Sequence, residues 1–121
     1  MRSKWITYKD RQILYQDFSG HYLVDAMLVK EELAAVQQIV VQQPENSVLV
    51  ISDFTNTQIG RGLMDMLIAS SKATKSHIKK TAVLGVVGTK RILGDMLMRI
   101  TGQQLTFFDD IEKAKDWLVE N

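Results

Sequence analysis

The stretch from His77 to Asn121, HIKKTAVLGVVGTKRILGDMLMRITGQQLTFFDDIEKAKDWLVEN, decides the fold. A basic edge at Lys79 and Lys80 leads into an unbroken apolar run, Thr81 to Val87, which stops at Gly88. Such a run, bounded by turn residues, suits a strand buried on both faces of a largely parallel sheet. A helical pattern then opens at Thr89 and closes at Gly102, where a left-handed C-terminal cap is expected; Ile92, Leu93, Met96, Leu97 and Ile100 form its apolar face. A second short strand, Leu105 to Phe108, runs into a helix opened by Asp109 and Glu112, a capping-box-like pair. Ile111, Ala114 and Leu118 are its stripe, and Trp117 is expected to be largely buried beside them. Strand–helix–strand–helix is an α/β unit.

Working back toward the N-terminus, Trp5 to Tyr8 and Gln12 to Phe18 are rich in aromatic and β-branched residues around Lys9-Asp10-Arg11. They read as a hairpin whose turn type stays open, because no glycine fixes it. Ser19-Gly20 ends the second strand. A helix from Asp25 to about Gln43 follows, with Val29, Leu33, Val36 and Val40 spaced as a core-facing stripe and Pro44 beyond its end. Val48 to Ile51 is a continuous apolar strand, expected at the centre of the sheet with the Thr81–Val87 strand parallel beside it. A polar loop, Ser52 to Thr57, leads to a helix from Ile59 or Gly60 to Ser71 or Lys75, with Leu63, Leu67 and Ser70 on its inner line. The predicted order is β-β-α-β-α-β-α-β-α over residues 1–121 as one domain: an α/β fold with a single mixed, mostly parallel sheet, an N-terminal hairpin and four covering helices.

Composition narrows the function classes. Hydrophobic residues are 45% and charged residues 24% of the chain, which places it among globular proteins. A net charge of +1 supplies no global basic field for nucleic acid. There is no cysteine, so disulfides, thiol catalysis and thiolate metal sites are excluded. The opening MRSKWITYKDRQ is too polar for a signal peptide and no apolar run reaches the ~20 residues of a membrane span, so the expected compartment is the cytoplasm.

Three segments in this order, VLVISDFTNT (Val48–Thr57), IKKTAVLGVVGTKRIL (Ile78–Leu93) and FFDDIEKAKDWL (Phe107–Leu118), make the chain resemble STAS-type domains. More closely it resembles the SpoIIAA-like proteins, small α/β domains related in architecture to lipid-carrying CRAL-TRIO domains. The resemblance implies a non-enzymatic domain whose helices part to admit an apolar ligand or meet a membrane or a protein. Anti-sigma-factor antagonists of the wider group carry a phosphorylatable serine at the start of the second helix. The matching segment here is Ile59-Gly60-Arg61-Gly62, with Arg61 in place of that hydroxyl, so the phosphoserine does not carry over.

The candidate residues fall in three places. Asp53, Thr55, Asn56 and Thr57 follow the carboxyl end of the central strand, where ligands bind in open α/β sheets; the plainer reading is that Asp53 and Thr55 close a local turn. Gly88, Thr89, Lys90 and Arg91 put two cations at a helix start, where free amides attract anions, although Thr89 also reads as an ordinary N-cap. Met64, Met66, Met96 and Met98 lie on the second and third helices and could line a ligand site that repacks, or could simply pack the core. His21 and His77 have no carboxylate at ligand spacing, and no Gly-x-Ser-x-Gly elbow is present.

Sequence alone thus points to a non-enzymatic STAS-like domain without cofactor or metal. It would bind an apolar or amphipathic small molecule, or dock on a membrane surface or protein partner, through its second and third helices; a homodimer is compatible with this. The alternative is an antagonist-type interaction regulator phosphorylated on Thr55 or Thr57.

Overall fold

Lys9 and Asp10 occupy the two central positions of the N-terminal turn, both with positive φ (48° and 63°). That is what a primed two-residue hairpin turn demands, here met without glycine. The turn joins β1 (Lys4–Tyr8) to β2 (Arg11–Asp17) in antiparallel register, Trp5 opposite Leu14 and Ile6 opposite Ile13. The computed structural model describes residues 1–120. The chain continues through a 3-10 turn at Leu23–Asp25 into α1 (Ala26–Val40), then β3 (Val48–Asp53), α2 (Arg61–Thr74), β4 (Ile78–Leu84), α3 (Lys90–Thr101), β5 (Thr106–Phe108) and α4 (Ile111–Val119).

The five strands lie in the order β1-β2-β3-β4-β5, and every pair after the hairpin is parallel. The strand at Val48 is therefore central, with β4 beside it as expected. β4 begins at Ile78 rather than Thr81 and ends at Leu84, because Gly85 turns the backbone into the left-handed region (φ 78°). No side chain fits at Gly85: a Cβ there would lie 2.3 Å from the Thr55 backbone nitrogen.

Strand alternation divides the core in two. Phe18, Phe54 and Val83 face α1 and α2 and pack with Val29, Leu33, Val36 and Leu63, so the predicted α1 stripe is in place. Ile13, Leu49, Ile51, Ala82 and Leu84 face the other way and pack under Ala114 and Leu118 of α4. Helices α1 to α3 thus cover one face and α4 alone covers the other.

Several terminal details differ from the sequence reading. Asp110, not Asp109, caps α4, its Oδ1 accepting from the Glu112 N–H at 2.8 Å. Lys80 of β4 closes the far end of that helix, its Nζ donating to the Trp117 and Glu120 carbonyls (2.8 and 2.9 Å). Trp117 is only half-buried, because its ring lies between Phe108 and the Lys80 ammonium rather than under the helix. Gly102 adopts the expected left-handed cap (φ 76°). The expected apolar face of α3 is rotated: Leu93, Gly94, Leu97 and Thr101 turn inward, whereas Ile92 and Ile100 are 61% and 49% exposed. Gly94 fixes this orientation, since a Cβ there would lie 2.7 Å from the Phe107 ring of β5.

Candidate functional site

Beneath α2 and α3 the helix-covered face of the sheet is not continuously apolar. Gln16 of β2 and Ser52 of β3 are register partners, and Thr81 of β4 lies beside Val50, so three polar side chains occupy the inner face of central strands. Ser70 and Ser71 of α2 and Gln103 after α3 meet them. Ser52 Oγ donates to Gln16 Oε1 at 3.0 Å, Ser71 Oγ donates to Gln103 Oε1, and Gln103 Nε2 donates to Thr81 Oγ1 at 3.2 Å. These bonds satisfy groups that would otherwise be costly to bury. Around them is a cavity of about 80 Å³, whose remaining wall includes Phe18, Phe54, Met64, Leu67, Leu97 and Phe107. Its wall combines hydroxyls and amides with apolar side chains.

Lys90 stands at the rim. Its Nζ donates to the Phe54 and Thr57 carbonyls at 3.2 and 3.1 Å, tying the start of α3 to the β3–α2 loop. Partial burial pushes its ammonium below the usual lysine range, and the nearby Asp53 carboxylate partly opposes that shift. Outside Lys90 lies an open groove bordered by Tyr22, Leu23, Asn56, Gly60, Thr89 and Leu93. Ile59, Lys90 and Leu93 line both the groove and the cavity, so they are the wall between them.

The other residues singled out from sequence are dispersed. Asp53 is buried and points to the α4 side of the sheet. Its Oδ2 accepts from the Tyr15 hydroxyl at 2.5 Å, and its Oδ1 accepts from the Thr55 N–H and Oγ1 at 2.9 and 2.6 Å, so it closes a local turn. The phenol's own partial burial, with the Asp53 hydrogen bond, raises Tyr15 well above its ordinary value. Thr55 and Asn56 are exposed, Asn56 with φ 55°. Thr57 is buried and its hydroxyl donates to the Phe18 carbonyl at 2.5 Å, which leaves it inaccessible to a kinase in this conformation.

Thr89 has helical dihedrals (φ −63°, ψ −26°) and makes no side-chain cap bond. An N-cap needs an extended backbone to aim its oxygen at the first amides, so the turn at Gly88 (φ 62°) opens α3 instead. Arg91 turns away from the groove, its guanidinium 3.8 Å from the Phe107 ring centroid and paired with Asp95 at 3.4 Å. Met64 lines the cavity; Met96 is exposed outside it.

Sequence reading missed Gln16, Ser52, Thr81, Ser71 and Gln103. The available signal was polar residues at inward positions of apolar strands, together with Ser70 on the inner line of α2.

No family model and no curated protein matches the chain. Fold and cavity define a single-sheet α/β domain with three helices layered on one face. A solved structure of this kind is an uncharacterized DUF3478-family protein from Shewanella loihica PV-4 with a SpoIIAA-like fold. It is 16% identical, with a TM-score of 0.66 over 96% of this chain and 91% of that one. The fold of this protein is SpoIIAA-like.

Proposed function

We propose that the protein is a non-enzymatic STAS-like domain that holds an apolar or amphipathic small molecule between its sheet and helices α2 and α3. The mixed wall of the cavity carries this reading: its hydroxyls and amides could orient a polar group while its apolar side chains take a hydrocarbon or ring. At about 80 Å³ it is smaller than the roughly 300–1,000 Å³ of typical ligand sites, so binding requires a helix to move. α3 is suited to this. Its only fully buried residue is Thr101, against four on α1. Lys90 would act as the latch, since releasing its two carbonyl contacts joins groove to cavity.

Native mass spectrometry of freshly purified protein tests the proposal, with a bound small molecule lost on denaturation as the expected result. Ser70→Leu, which fills the cavity from α2, should abolish that bound mass without lowering the melting temperature. Absence of any bound species, together with failure of the wild type to bind anilinonaphthalene sulfonate or a fluorescent fatty acid, would leave the reading without support.

A further inference from the structure

The two edges of the sheet differ. β5 offers three residues, whereas β1 offers five, with no proline and no break in its register against β2. Bulges, prolines and very short strands keep edges from pairing, and β1 has none of these. Tyr8 and Arg11 flank a two-residue turn, so they bond to each other in both directions. By alternation the amides and carbonyls of Tyr8, Ile6 and Lys4 face β2, and those of Trp5 and Thr7 face outward. No strand pairs with that outer side among the described residues. The open edge ends at Ser3, whose N–H donates to Glu32 of α1 at 2.7 Å. Trp5 is 40% exposed beside it.

Amides and carbonyls set out in strand geometry are met in full only by another extended strand. β1 is its own complement. Laid antiparallel across a two-fold axis at Ile6, Trp5 of each copy comes opposite Thr7 of the other, and each such pair exchanges two hydrogen bonds. A slip of one residue would set outward groups against inward ones. An axis at Trp5 would draw on Ser3, already held by Glu32, and an axis at Thr7 would draw on Lys9, which lies in the turn. The side chains agree with the axis at Ile6. Trp5 and Thr7 meet on the α1 face, where Leu14, the β2 partner of Trp5, packs with Val40. On the α4 face Ile6 meets Ile6, and Lys4, the one charged residue of the strand, comes opposite Tyr8. Charge around Tyr8 is balanced, Lys9 and Lys115 against Asp116 and Glu112. Tyr8 and Lys9 both bond to Asp116 Oδ1, which leaves Oδ2 open to an incoming Lys4.

We propose that two copies of the protein pair through β1, antiparallel about Ile6, and so join their five-stranded sheets into one. The edge lies outside the interior cavity, and the pairing stands independently of the ligand proposed for it. Sedimentation velocity over a range of concentrations should show the mass rising from that of one chain to that of two. Thr7→Pro removes an outward amide and no bond to β2, so it should abolish the dimer and leave the melting temperature near the wild-type value. The chain has no cysteine, which allows a test of register. Ile6→Cys places the two thiols in a facing pair about 4.5 Å apart at Cα, within disulfide range. Thr7→Cys leaves them two residues out of step, about 7 Å along the strand besides the gap between strands, which a disulfide does not span. Under mild oxidation Ile6→Cys should therefore cross-link about tenfold faster than Thr7→Cys, or more. Should Thr7→Pro fail to fold, this comparison still decides. A wild type that stays monomeric at every concentration would overturn the proposal and leave the edge to a strand of another protein. A folded Thr7→Pro variant that still dimerises, or equal cross-linking of the two cysteine variants, would overturn it in favour of a contact elsewhere.

Discussion

Tyr15 and Asp53 show how one residue pair sets a measurable property of the protein. The phenol donates to the carboxylate on the α4 side of the sheet, and burial together with that bond raises its ionisation above the ordinary tyrosine range. Between the unfolded and folded values the native state holds a proton that the unfolded chain has released. This contribution to stability is therefore fully present below about pH 10 and is lost progressively above it. Tyr15→Phe should cost about 1.5 kcal/mol at neutral pH, the worth of a hydrogen bond to a charged acceptor. It should also flatten the alkaline fall in stability, read from urea unfolding midpoints as the pH is raised. An unchanged slope would mean that the bond does not persist in solution.

Among the helices, α3 departs most from its sequence pattern. Its expected face had two edges, Ile92–Met96–Ile100 and Leu93–Leu97, and only the second turns inward, joined by Thr101. Gly94 against Phe107 decides between them, and that contact joins two segments whose pairing no local pattern announces. Elements specified by their own periodicity, such as α1 with Val29, Leu33, Val36 and Val40, were legible, as were the buried central strands. The cavity was not, because Gln16, Ser52, Thr81 and Gln103 come from separate elements and converge only when register and crossovers are fixed. With few residues anchored, the α3 amides should exchange with deuterated solvent faster than those in the middle of α1, by about tenfold or more. Hydrogen-exchange mass spectrometry checks this, and equal protection would remove the mobile-cover element of the proposed function.

Across the whole molecule the governing fact is asymmetry. The strand order never reverses, so α1, α2 and α3 all cross on one face, and the crevice that a reversal creates at the carboxyl ends of strands is absent. That is why the loop after β3, legible as a polar loop, closes on itself through Asp53 while the cavity lies between layers. The second face depends on the nine residues of α4. A chain ended after Phe108 would expose Ile13, Leu49, Ile51, Ala82 and Leu84 together, and it should elute from a sizing column as aggregate rather than monomer. The same order bears on how the protein is made. Each strand pairs with the one translated just before it, so the sheet can grow edge by edge as the chain leaves the ribosome. α4 follows all five strands in the chain, so one oily face stays bare until late in synthesis. The nascent chain is then a natural client for a ribosome-bound chaperone.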